Sequence, residues 1–105
     1  MEKITQFTQL LETIEQVEKV LIYVSTENCS VCTADNPRVQ ALVNETKIPA
    51  FEIKVNELPE AAGQFQLFTA PVVLLFHQGK EWHRQARIID FDVLKYRMQQ
   101  LMEDA

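Results

Sequence analysis

Val20, Leu21, Ile22, Tyr23 and Val24 form a continuous apolar run, mostly β-branched or aromatic, and a polar stretch from Ser25 to Asn28 then leads into Cys29-Ser30-Val31-Cys32. A run of this kind reads as a strand buried on both faces, as in a parallel sheet. Beyond Cys29 the pattern turns helical, with Val31, Ala34, Val39, Leu42 and Val43 spaced to share one side. The two cysteines therefore fall at a strand-to-helix junction. Unpaired N–H groups and the positive end of the helix dipole stabilise an anion there, so a thiolate on Cys29 forms more readily than on a free cysteine.

Cys29 and Cys32 sit three apart, which on the first turn of a helix places them within disulfide reach of each other. One thiol can attack and the other resolve. The alternatives are half of a zinc site or two unrelated core cysteines. With only two cysteines a four-sulfur zinc site within the chain is impossible, and His77 and His83 lack the paired spacing of a zinc finger. No metal site and no cofactor are expected, and the two histidines read as surface residues of a hairpin.

A chain of 105 residues, 47% hydrophobic, can bury a core as a single domain (1–105) without disulfide staples. Its net charge of −5 comes with dispersed Lys and Arg, which argues against a nucleic-acid partner. The apolar runs fall far short of the ~20 residues of a membrane helix, and the start has no apolar leader, so the expectation is a cytoplasmic protein without membrane contact.

Phe7, Leu10, Leu11, Ile14 and Val17 recur at helical intervals between Gln6 and Lys19, with Thr5 as a cap and Lys3-Ile4 as a short edge strand before it. Pro37 predicts a kink or break after Asn36, with the helix ending near Asn44. Ala50 to Val55 alternates apolar and charged residues and reads as a strand parallel to the first. Pro59 opens a short helix to about Gln66. Pro71 introduces a second central strand, Val72 to Phe76; Gln78-Gly79-Lys80 turns the chain into a return strand from Glu81 to Ile89. A last helix begins at Asp90 and turns Phe91, Leu94, Met98, Leu101 and Met102 inward, leaving Lys95, Arg97 and Glu103 wet. Trp82 reads as packing the hairpin against this helix.

This order of elements resembles the thioredoxin family over essentially the whole chain. Cys29-Ser-Val-Cys32 matches the family's active-site motif, Pro37 its helix proline, Ala70-Pro71 the dipeptide with a cis proline beside the active site, and Gly79 the glycine of the last hairpin. The resemblance implies an α/β fold, a three-layer α/β/α sandwich with a central mixed sheet. It also implies a monomeric thiol-disulfide oxidoreductase acting in electron transport and cell redox homeostasis. Cys29 would be the nucleophile, Cys32 the resolving thiol, and Ala70 and Pro71 the substrate groove. Partners would be disulfide-containing proteins or small thiols, together with a recycling reductant.

The departures are as informative. Asn28 stands where thioredoxins usually carry Trp, Ser30-Val31 replaces Gly-Pro, and Thr33 stands where a basic residue often follows. The acid that the family buries beneath the second cysteine is here Tyr23, and a phenol with a reference pKa of ~10 is a poor base at neutral pH. Glu27 and Asp35 also disfavour a nearby thiolate. Glu52 reads first as a solvated strand residue and second as a replacement proton acceptor. A thioredoxin-fold binding or regulatory module with slow or no turnover is thus the alternative function.

Overall fold

β2 (Lys19–Ser25) is buried along all but its first residue, and both of its edges are occupied. In the computed structural model, which describes residues 1–103, β2 pairs in parallel with β3 (Ala50–Lys54) and antiparallel with β4 (Val72–His77). β1 (Glu2–Lys3) joins β3 in parallel, and β5 (Lys80–Ala86) pairs antiparallel with β4, giving the order β1-β3-β2-β4-β5. The sheet is therefore mixed. The helices are α1 (Phe7–Gln16), α2 (Ser30–Thr46), α3 (Pro59–Phe65) and α4 (Phe91–Glu103).

Strand alternation assigns the helices to faces. Val20, Ile22 and Val24 pack with Leu10 and Ile14 of α1 and Ala61 of α3, while Leu21 and Tyr23 pack with Val39 of α2 and Leu94, Met98 and Leu101 of α4. Two apolar layers thus cover one sheet, which is the three-layer α/β/α sandwich. Burying each such aliphatic side chain stabilises by roughly 1.5–3 kcal/mol, so β2, which contributes to both layers, ties the fold together.

Several local expectations are corrected. α1 starts after Gln6, whose side chain makes no capping bond, so Thr5 is not the cap, and the helix stops at Gln16. The edge strand is Glu2–Lys3, and Ile4 is a buried core residue. α2 is one helix through Pro37 and reaches Thr46, with no break after Asn36. Proline costs it the N–H that would reach the Thr33 carbonyl; the buried line at positions 32, 39 and 46 holds the rest. That line repeats every seven residues and runs through Cys32, which leaves Val31 (51%) exposed and Ala34 on the outside. Lys47 closes the helix at φ 65°, its N–H reaching the Val43 carbonyl at 2.8 Å.

The return strand ends at Ala86 rather than Ile89. Leu75 pairs with His83 but Phe76 with Glu81, so Trp82 is the extra residue of a bulge. It packs against the α4 side of the core with the Arg97 guanidinium 4.1 Å above its ring, so Arg97 is half-buried rather than wet. His77 and His83 are half-buried as well. Asp90 caps α4 through the Val93 N–H at 3.0 Å, whereas Met102 lies 43% exposed in the final turn instead of in the core.

Candidate functional site

β2 ends at Ser25 and α2 starts at Ser30, so four residues must reverse the chain and deliver the first cysteine. The Asn56 side chain anchors this loop. Its Oδ1 accepts the Glu27 N–H at 3.1 Å and the Thr26 hydroxyl at 3.4 Å. Asn28 turns at φ 59°, a left-handed conformation that asparagine tolerates.

Cys29 is then the N-cap of α2, and its Sγ accepts the Cys32 N–H at 3.1 Å. Its carbonyl accepts from the Thr33 N–H at 3.2 Å and the Thr33 hydroxyl at 3.3 Å. The sulfur therefore occupies the place of a capping oxygen, where a negative charge meets an otherwise unpaired N–H and the helix dipole. Cys29 and Cys32 are joined as a disulfide, their Cα atoms 5.3 Å apart. The two sulfurs differ in access: Cys32 is 3% exposed, and Cys29 is only half-buried.

Tyr23 lies directly beneath the second cysteine. It is fully buried, and its hydroxyl donates to the Cys32 carbonyl at 2.7 Å. Burial pushes its pKa far above the usual phenol value, reinforced by Asp35 and Glu52, so Tyr23 holds its proton. It is a strut for the first turn of α2.

Glu52 pairs in register with Tyr23 across the parallel ladder, and so emerges on the same face of the sheet. It is half-buried, with both carboxyl oxygens engaged, rather than freely solvated. One carboxyl oxygen accepts the Ser25 hydroxyl at 2.7 Å and the other the Asn36 amide at 3.4 Å. Ser25, only 3% exposed, is one of the few buried polar residues. Cys32, Ser25, Asn36 and Glu52 line one cavity of about 250 Å³, which is completed by Lys54 and threonines of the loop and helix.

Ala70 and Pro71 reach the same end of the sheet. Their peptide bond is cis, and Val72 pairs with Val24 at the end of β2. The Pro71 carbonyl accepts the Arg87 N–H at 2.8 Å, which ties the loop after β5 to the start of β4. Three exposed apolar side chains flank this end: Val31 at 51%, Phe68 at 84% and Ile88 at 89%. Neither Ser25, Asn36, Asn56, Phe68 nor Ile88 stands out in the sequence; the contiguous apolar pair Ile88-Ile89 is the one available signal, since only one of the two can face the core.

The described residues contain no cluster of three or more His, Cys, Asp or Glu able to hold a metal, and no helix long and apolar enough to cross a membrane.

A mixed sheet between two helical layers, with a closed Cys-x-x-Cys at the start of a helix, defines a thioredoxin-fold protein with a redox-active cysteine pair. The family model described as Thioredoxin matches residues 2–100, and the chain belongs to the thioredoxin family. It is 34% identical over 89 residues to Thioredoxin-like protein YdfQ of Bacillus subtilis, a match covering 84% of this chain and 80% of that one. It is 29% identical over 83 residues to a thioredoxin of Mycoplasma pneumoniae, covering 78% and 81% of the two chains. Among solved structures, a mutant thioredoxin from Halobacterium salinarum superposes with a TM-score of 0.88 at 22% identity, over 99% of this chain and 92% of that one, a likeness of fold. Membership and the close cysteine pair support thiol-disulfide oxidoreductase chemistry in general, with disulfide-bearing proteins and a reductant as the general classes of partner.

Proposed function

We propose that the chain reduces disulfides of proteins or small molecules through a Cys29/Cys32 dithiol, as a monomeric, single-domain, cytoplasmic enzyme that needs no cofactor and is restored by a separate reductant. The observation that carries this reading is the capping position of Cys29, whose more accessible sulfur receives the Cys32 N–H at 3.1 Å while Cys32 lies buried behind it. A thiolate is favoured where it can meet substrate, and the second thiol is held one turn away, shielded until it is needed. Cys29 attacks the substrate disulfide and forms a mixed disulfide. Cys32 then displaces the reduced substrate and closes the Cys29–Cys32 bond. Ala70 and Pro71 form the groove for the substrate chain, with Val31, Phe68 and Ile88 as its apolar margin. Glu52 takes the proton that Cys32 must lose, because Tyr23 is committed to a carbonyl and the carboxyl shares a cavity with the buried thiol.

The alternative, a binding or regulatory module with slow or no redox turnover, draws on the phenol in place of a buried acid. Catalysed reduction of a disulfide-bonded protein such as insulin, with dithiothreitol as the recycling reductant, separates the two. The oxidoreductase reading expects turnover well above the dithiothreitol background, abolished in Cys29→Ser. Turnover equal to background by the wild type supports the binding module.

A further inference from the structure

We propose that Ser25 is the proton relay between Cys32 and Glu52, a role that rests on the reading of Glu52 as acceptor. Buried hydroxyls are retained where they have work or a partner. Thr46, the other buried polar residue among those described, is fully explained by the end of α2, where it donates to the Leu42 carbonyl at 2.8 Å and accepts the Ile48 N–H at 3.5 Å. Ser25 closes no helix. Its hydroxyl donates to Glu52 Oε2 at 2.7 Å, and it lines the same cavity as Cys32. A hydroxyl that donates still has lone pairs to accept with, so it can take a proton on one side as it gives one up on the other. The Asn36 amide on the opposite carboxyl oxygen keeps Glu52 turned to this task. The Tyr23 hydroxyl, also beneath Cys32, is taken by the Cys32 carbonyl at 2.7 Å.

The S–H bond of Cys32 breaks and its proton passes to Ser25 Oγ, while the original Ser25 proton passes to Glu52 Oε2. The Cys32 thiolate attacks Cys29 Sγ within the mixed disulfide. The bond between Cys29 and the substrate sulfur breaks, and the electron pair leaves on that sulfur. The substrate is reduced by the two electrons that the new Cys29–Cys32 bond represents, and Glu52 returns its proton to water. Charged and titratable groups around the carboxyl and the Tyr23 hydroxyl beside it are Lys54 on β3, Asp35 on α2, which acts on Tyr23 as Glu52 does, and Lys3 on β1, the last in register with Glu52 and paired to Glu57 at 2.8 Å.

Dithiobis-nitrobenzoate tests the relay in the full chain by stopped-flow absorbance, because the reduced protein releases one nitrothiolate when Cys29 reacts and a second when Cys32 resolves. At pH 7, Ser25→Ala is expected to slow the second phase by about tenfold or more and to leave the first within about twofold, within the span of general acid-base effects. The gap closes at alkaline pH, where solvent removes the thiol proton directly, and Ser25→Thr, which keeps the hydroxyl, restores the rate. In the unsubstituted protein the second phase should depend on the deuterium fraction of the solvent along a curve, since two protons move together; a straight line, one proton in flight, overturns the relay even should Ser25→Ala fail to fold. A wild-type second phase in Ser25→Ala with a slow one in Glu52→Gln overturns the relay alone and leaves a cavity water as carrier. A normal second phase in Glu52→Gln removes the acceptor and the relay with it. Slowing by the same factor at every pH, without rescue by threonine, marks Ser25 as structural and overturns the proposal.

Discussion

From a single backbone, β2 sends Val20, Ile22 and Val24 toward α1 and α3, and Leu21, Tyr23 and Ser25 toward α2 and α4. The first set is aliphatic throughout, with close-packed neighbours on every side. The second grades along the strand from a leucine, through a phenol whose hydroxyl supports the Cys32 carbonyl, to a serine bonded to a carboxyl. Both sets are buried. The difference lies in what burial is for: one face gains only from excluding water, while the other gives up some of that gain to hold polar groups under a helix start. Pairing Tyr23 with Glu52 across the ladder is what extends the polar patch onto β3. Stability is therefore expected to respond most to the aliphatic face, and redox behaviour to the polar one.

Ile22→Ala should give the largest stability effect, a loss of about 2–5 kcal/mol for a fully buried aliphatic side chain. Denaturant unfolding measures it, and the rate of mixed-disulfide resolution per folded molecule should stay as in the wild type. A change in that rate would show that the faces are coupled. Tyr23→Phe keeps the ring and removes the hydroxyl, so the expected cost is about 1 kcal/mol for one hydrogen bond to a carbonyl that retains its helical partner. Resolution should persist, because this phenol does not act as the base.

The smallest effect belongs to His83, on the outer strand β5. Burial, and secondarily the Arg97 cation, lowers its pKa below the usual imidazole value. The unfolded chain therefore binds the proton more readily than the folded one. His83 contributes stability that is fully present above the ordinary value near 6.5 and is lost as pH falls through the lower folded value. Unfolding curves between neutral and mildly acid pH should fall less steeply in His83→Gln than in the wild type, with the redox site unaffected.

The aliphatic face was legible in the sequence because its signals are local. Continuous apolar runs at Val20–Val24 and Val72–Phe76 announce central strands, and the family's spaced cysteines, prolines and glycine place them in order. The polar face was legible only in part. Cys29 and Cys32 are visible as a motif, but Ser25 reads as turn material, and its burial depends on a carboxyl 27 residues away in the chain. Glu52 sits in an alternating strand whose even positions read as solvated; only the register against β2 shows that a serine and an asparagine receive it. Pro37 predicts a break that packing overrides, since Val39 is fully buried beyond it. Val31 looks like core by spacing, yet the inward line passes through Cys32. Tertiary register, absent from any local window, accounts for each of these.

The division of labour between an accessible capping thiolate and a shielded resolving thiol is the centre of the account, and the pH dependence of alkylation in the two single-cysteine proteins tests it most directly. In reduced Cys32→Ser, the remaining Cys29 should react with iodoacetamide rapidly at neutral pH, its reactivity rising with a midpoint below the free-cysteine value of ~8.5, and a disulfide substrate should be trapped on it. In Cys29→Ser, the remaining Cys32 should react slowly, with a midpoint above that value and little trapping. Faster alkylation of Cys32 than of Cys29 at neutral pH would reverse the assignment and contradict the account.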